Sequence, residues 1–332
     1  MLLRSDPQLV PRALALAQQG RIAEAFDLLT QGIEAGDAMA AATLANWRLA
    51  GDPIRRDLGA ARALFGKAAA LGLAEAEPIH IALLANGAGG CGRRWSEALA
   101  LLNKRQATDA LARRQAQLLA AMAIDPEGNP LALPQREGLS ETPQIAVRRG
   151  FLSGAECQYL ADLAVPLLQP SVVVHPQTGQ QRRDPVRTAL FAAFPFVIED
   201  PVIHALNRRI MAATATAYEQ GEPVQVLSYV PGQEYKLHSD CLPPGNNQRV
   251  QTLLVALSDN FAGGETSFPR VNLNIRVAAG DAIQFVNVDA RGQPEQLAWH
   301  AGLPLRSGRK LLLSKWIRAA PLDLSGPPGR PF

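Results

Sequence analysis

The run Tyr235-Lys236-Leu237-His238-Ser239-Asp240 reads as the end of a β-strand that carries chemistry. On an extended chain, residues two apart point to the same face. His238 and Asp240 can therefore present an imidazole nitrogen and a carboxylate oxygen to one centre. Further β-rich runs surround it, VQVLSYV (224–230), RVQTLLVALSD (249–259), AIQFVNV (282–288) and RKLLLSKWI (309–317). Pro231-Gly232 and Ala279-Gly280-Asp281 supply turns between them. Helical stretches near 153–168 and 200–219 come first. Helices followed by many short strands predict an α+β domain around a double-stranded β-helix, or jelly roll.

A lone His-x-Asp is usually surface chemistry, so the reading needs a third ligand. The chain has five histidines: His80, His175, His204, His238 and His300. His80 falls in helical sequence, His204 on a predicted helix and His175 in a polar loop. His300 closes the apolar stretch LAWH on a late strand, where a jelly roll returns to its first strands. It is the best third ligand. Two histidines and one carboxylate make the facial triad of non-haem Fe(II) oxygenases, with adjacent positions left open. Lys310 lies beyond it in a run too apolar for an exposed strand. A buried ammonium needs a counter-charge, and a dicarboxylate co-substrate would supply one. Alternation leaves the opposite phase open, with Lys310 outward and Lys315 as the inward lysine.

The first part of the chain has another grammar. Residues 10 to about 122 are rich in Ala and Leu at helical spacing, as in Ala25, Leu28, Leu29 and Ile33. Residues 22–51 align with 58–87 at an offset of 36, superposing Ala25 on Ala61, Gly36 on Gly72, Ala38 on Ala74 and Gly51 on Gly87. A weaker third copy begins near Trp95. This pattern resembles Sel1-like repeats, relatives of the tetratricopeptide class. It implies either a surface for a peptide or protein, or a helical cap on the second half. The organisation expected is a helical repeat domain (1–122), a proline-rich linker (123–143), a catalytic domain (144–320) and a tail (321–332).

Composition narrows the class further. The hydrophobic fraction of 47% is that of a globular chain. The formal net charge of +3 decides nothing about nucleic acid, which needs a clustered basic face. Arg182 and Arg183 with Arg187 form the densest basic spot in the second half, which reads as a solvated loop, and no nucleic-acid partner is expected. Cys91, Cys157 and Cys241 contain no CxxC, which argues against a zinc ribbon and fits a reducing compartment. No long apolar run predicts a membrane span, so a soluble cytoplasmic protein is expected.

Taken together, the stretch 225–240, Arg249-Val-Gln-Thr252, Gly263-Gly264-Glu265-Thr266-Ser-Phe268-Pro269, His300-Ala-Gly302-Leu-Pro304 and Gly308-Arg-Lys310 with Lys315-Trp316 resemble the prolyl 4-hydroxylases. Upstream, Gly150-Phe151-Leu152 with Glu156-Cys157, and Arg187-Thr188, fit as well, so the likeness spans about 144–320. The resemblance implies iron on His238, Asp240 and His300, and the distal carboxylate of 2-oxoglutarate on Lys310. Tyr229 would line the co-substrate pocket with Thr252 as neighbour, and Tyr235, Arg249 and Trp316 would stand near the target residue. Dioxygen and ascorbate are implied too. Gly263-Gly264 reads as a strand turn, since no helix follows it to make a phosphate site. Cys241, Leu242, Ala256 and Leu311 depart from the family pattern and are expected to border the substrate side.

The expected activity is thus hydroxylation of a C–H bond with decarboxylation of 2-oxoglutarate to succinate, on a peptidyl prolyl residue. A free amino acid or small metabolite stays open as the substrate. From another class, a non-catalytic repeat adaptor with a degenerate barrel is the rival. An adaptor would have no need to keep three ligands and Lys310.

Overall fold

The computed structural model describes residues 6–88, 92–174, 181–183, 186–196 and 199–323. Cys91, His175 and most of the tail expected at 321–332 lie outside them. The chain divides into two compact units, one of residues 1–128 with 196–205 and 323–332, the other of 129–195 with 206–322.

The first unit contains α1 (Leu9–Gln18), α2 (Ile22–Glu34), α3 (Ala38–Ala50), α4 (Leu58–Ala70), α5 (Ala76–Asn86), α6 (Trp95–Arg105) and α7 (Ala110–Ala121). The repeat seen in the sequence is structural, because the offset of 36 carries α2 onto α4 and α3 onto α5. Gly36 and Gly72 have φ of 88° and 100°, the left-handed conformation that ends a helix without a Cβ penalty. Equivalent Ala25 and Ala61 are both fully buried, where a larger side chain would force neighbouring helices apart. Asp37, Asp57 and Asp109 cap α3, α4 and α7 by accepting from backbone N–H groups of the first turn. Phe196 packs on the core around Ala41 and Phe65, and its carbonyl accepts from Asn86 Nδ2 at 2.7 Å.

The second unit opens with the β1 (Arg136–Glu141) and β2 (Gln144–Arg148) hairpin and helix α8 (Gly154–Ala164). Strand β1 lies inside the segment read as a linker. Prolines at 130, 134 and 143 flank the strand rather than interrupt it, so they mask its presence. There follow β3 (Gln169–Pro170), β4 (Val172–Val174), β5 (Gln181–Arg183), β6 (Leu190–Phe194) and helix α9 (Pro201–Thr214), of which residues 206–214 belong to this unit. The remaining strands are β7 (Val224–Tyr229), β8 (Tyr235–His238), β9 (Arg249–Ala256), β10 (Ala262–Gly263), β11 (Thr266–Phe268), β12 (Leu273–Ile275), β13 (Ala282–Val286), β14 (His300–Gly302), β15 (Leu305–Ser307) and β16 (Lys310–Arg318).

Two antiparallel sheets dominate, one ordered β1-β2-β13-β9-β16-β7-β6-β3 and the other β12-β11-β14-β8. Their inner faces share one core, with Ile145, Leu227, Leu254, Phe285 and Leu312 from the large sheet meeting Phe268 and Ile275 from the small one. Two sheets closing on such a core make the expected jelly roll. Helix α8 starts with a capping box of Ser153 and Glu156, and Glu156 also pairs with Arg209 of α9 at 2.8 Å. No helix among the described residues is long and apolar enough to cross a membrane.

Candidate active site

Strand β8 ends on His238 and β14 begins on His300, and the two residues face each other across the antiparallel pair. Their ring centroids lie 4.3 Å apart. Each ring is turned by its own backbone: His238 Nδ1 donates to the Lys236 carbonyl at 2.7 Å and His300 Nδ1 to the Ala298 carbonyl at 3.1 Å. A carbonyl can only accept, so Nδ1 carries a proton in each ring, and in the neutral form Nε2 keeps its lone pair. Asp240 stands just past the strand, Oδ1 3.5 Å from His238 Nε2 and Oδ2 3.7 Å from His300 Nε2. One ligand atom from each of the three residues lies within 4.8 Å of the others. Buried His238 Nε2 has no hydrogen-bond partner, an orphan that a metal bond would satisfy. The donor set suits ferrous iron.

Electrostatics agree with this use. Burial opposes the charge on Asp240, but the imidazoles of His300 and His238 and the Thr252 hydroxyl outweigh it and hold the carboxyl below its usual range. Burial pushes the His300 imidazole down to about 4, so it is neutral near pH 7, as a metal ligand must be. Tyr235 stacks on His238 with centroids 3.5 Å apart, and Phe285 meets His300 edge-on at 4.6 Å.

These residues open into a cleft of about 410 Å³, counting its mouth, with Lys310 on its wall. Lys310 is only 6% exposed. Its Nζ donates to the Gly264 carbonyl at 2.7 Å and lies 5.6 Å from the centre of the Tyr229 ring, across the β7–β16 pair. Burial pushes the ammonium down to about 8, with Glu265 opposing the shift and Arg276 adding to it. Alternation along β16 sends Lys310, Leu312, Ser314 and Trp316 into the cleft. Lys315 takes the other face, beside Gly221, where a Cβ would come within 2.5 Å of its Cε.

The sequence profile of the 2OG-Fe(II) oxygenase superfamily matches residues 224–318, the stretch that holds His238, Asp240, His300 and Lys310. Prolyl 4-hydroxylase 1 of Arabidopsis thaliana is 35% identical over 201 residues, covering 55% of this chain and 71% of that protein. The chain belongs to the prolyl 4-hydroxylase family of 2-oxoglutarate–Fe(II) oxygenases. Probable prolyl 4-hydroxylase 3 of the same plant is 33% identical over 205 residues, covering 54% of this chain and 71% of that protein. Among solved structures, the viral collagen prolyl hydroxylase of Paramecium Bursaria Chlorella virus-1 in its 2-oxoglutarate complex aligns with 55% of this chain and 100% of its own, at 29% identity and a TM-score of 0.43.

Within this prolyl 4-hydroxylase framework the other expected residues distribute unevenly. Tyr229, Tyr235 and Trp316 line the cleft. Thr252 does not; its hydroxyl donates to Asp240 Oδ2 at 2.6 Å, behind the ligand. Arg249 is also outside the lining, and its guanidinium sits 3.7 Å over the Trp316 ring while pairing with Glu222 at 2.6 and 2.8 Å. Glu222 binds Arg318 as well. This buried carboxylate had no local sequence signal, since Arg318 comes from 96 residues away. The departures from the family pattern do not all reach the substrate side. Leu311 alternates away from Lys310 and Leu312, and Ala256 is buried opposite Leu312 on the next strand. Cys241 Sγ donates to the Asn287 carbonyl at 3.1 Å.

Proposed function

We propose that this dioxygenase hydroxylates a prolyl residue in a peptide or protein, with His238, Asp240 and His300 holding Fe(II) and Lys310 binding the distal carboxylate of 2-oxoglutarate. The observation that carries the reading is one cleft that holds both a three-ligand cluster and a buried lysine. When bound, ferrous iron with 2-oxoglutarate and dioxygen supplies the oxidation: one oxygen atom enters the C–H bond, the other enters succinate, and carbon dioxide leaves. This chain's own residues do the rest. The two imidazoles are turned with Nε2 inward by their Nδ1 bonds to backbone carbonyls, His300 is kept neutral by burial, and Asp240 is kept ionised. Leu227, Leu254 and Leu312 give the cleft an apolar wall that excludes water. Lys310 brings a positive charge to a depth where a carboxylate is the natural partner. Trp316, braced by Arg249, and Tyr235, braced by His238, are the flat surfaces on which a prolyl ring would rest.

The test is a panel of proline-containing peptides, free amino acids and small metabolites, scored for succinate release and for product mass. The expected outcome is peptide-dependent succinate with gain of one oxygen on proline. His238→Ala and Asp240→Ala should release no succinate. Undiminished turnover by the double variant would sink the assignment, and turnover confined to free metabolites would sink the peptide substrate.

A further inference from the structure

Asp240 is held by a hydrogen-bonded line that begins just past the end of β13. Its Oδ2 accepts from Thr252 Oγ1 at 2.6 Å, and Thr252 Oγ1 accepts from Asn287 Nδ2 at 2.9 Å. Asp240, Thr252 and Asn287 are 5%, 1% and 2% exposed, so water does not compete for these bonds. The direction of each is forced. An ionised carboxylate has no proton to give, so the single hydroxyl proton of Thr252 goes to Asp240. The Thr252 oxygen is then an acceptor, and Asn287 must turn its NH₂ toward it. Backbone bonds fix Asn287 in turn: its N–H donates to the Val250 carbonyl at 2.9 Å, and its carbonyl accepts from Glu295 N at 2.8 Å and Cys241 Sγ at 3.1 Å. Because Cys241 directly follows Asp240, Asn287 grips the ligand segment through both its main chain and its side chain.

We propose that Asn287 and Thr252 are positioning residues that make Asp240 a one-oxygen ligand, with Oδ2 held by the hydroxyl and Oδ1 left for the metal. This rests on the iron assignment above and adds which carboxylate oxygen is used and what withholds the other. A carboxylate free to turn would offer both oxygens and fill a position that co-substrate or dioxygen needs. Thr252 and Asn287 are both polar residues at places where strand alternation calls for apolar ones, Thr252 before Leu254, and Asn287 after Ile283 and Phe285. That departure costs burial of two polar groups, and the bonds of Asn287 to Thr252 and of Thr252 to Asp240 offset it.

The experiment is anaerobic Co(II) titration of the full chain, carried out on wild type, Thr252→Ser, Thr252→Val, Asn287→Ala and the Thr252→Val, Asn287→Ala double variant. Thr252→Val and Asn287→Ala are expected to weaken Co(II) binding roughly tenfold or more, because the carboxylate must then be ordered on binding. Thr252→Ser, which keeps the hydroxyl, should bind as wild type does. The double variant should be no weaker than Thr252→Val, since Asn287 acts only through that hydroxyl. Infrared difference spectra of the Co(II) form should show the wide carboxylate splitting of a one-oxygen ligand in wild type and a narrowed one in Thr252→Val. Additive losses in the double variant, wild-type affinity in Thr252→Val, or an unchanged splitting would overturn the proposal while leaving the iron site intact. Wild-type protein that binds no Co(II) would overturn the iron assignment itself, and this inference with it. If Thr252→Val does not fold, Asn287→Ala and Asn287→Asp, neither of which can donate to the Thr252 oxygen, carry the test, and wild-type Co(II) affinity in both would overturn the proposal.

Discussion

Lys310 carries its ammonium on the wall of a cleft where burial lowers its pKa to about 8, and it donates to the Gly264 carbonyl. Only the protonated form pairs with a carboxylate, so 2-oxoglutarate affinity should be level below pH 8 and fall as pH rises through it. Lys310→Met should weaken 2-oxoglutarate by roughly a hundredfold, about 3 kcal/mol, and flatten that pH dependence. Calorimetry on the anaerobic Mn(II)-loaded protein measures both, and a pH-independent wild type would refute the role. His300 makes a second prediction. Its pKa falls from 6.5 to about 4 on folding without metal, so between these values the unfolded chain binds the extra proton. Stability is therefore complete above pH 6.5 and is lost as pH falls toward 4, by up to about 1.4 kcal/mol per unit. Urea unfolding of the metal-free protein at stepped pH should show this slope, and His300→Gln should lose it.

At the scale of elements, turns decide how closely strands and helices approach. Gly264 has φ 69°, and a Cβ there would lie 3.0 Å from Leu305 Cδ1 and 3.3 Å from Lys310 Cδ. The Gly263-Gly264 turn thus leaves room for the lysine stem and points a carbonyl at its tip. In the helical unit, Gly36 and Gly72 end equivalent helices with φ 88° and 100°, and a Cβ at either meets nothing closer than 4.0 Å. Substitution there costs backbone strain alone. Gly36→Ala and Gly72→Ala should each destabilise by about 1 kcal/mol, and by equal amounts, because the repeat makes the sites equivalent. Chemical denaturation checks this, and a large difference between the two would mean that the repeats are not alike in structure.

For the whole molecule, the proposed ligand cluster predicts a stability that depends on metal. A metal that binds only the folded protein adds about 2.7 kcal/mol at a hundred times its Kd. Anaerobic Mn(II) should raise the melting temperature of wild type and leave Asp240→Ala unmoved, and equal shifts in both would place the ion elsewhere. Local periodicity made much of this molecule legible. β-rich runs set off by turn signals marked β7, β9, β13 and β16, small residues at an offset of 36 marked the helical repeat, and two-residue spacing joined His238 to Asp240. Those features depend only on neighbours in the chain, so the sequence by itself determined the jelly roll, the helical unit and the candidate metal donors. Long-range closure decided the rest. Whether Lys310 or Lys315 faces inward depends on the register of β16 against β7. The bracing of Trp316 by Arg249 and Glu222, and the line from Asn287 through Thr252 to Asp240, join residues dozens of positions apart. Alternation shows only that such residues are polar on an inward face; their partners exist once the sheets have closed and water has been removed between them.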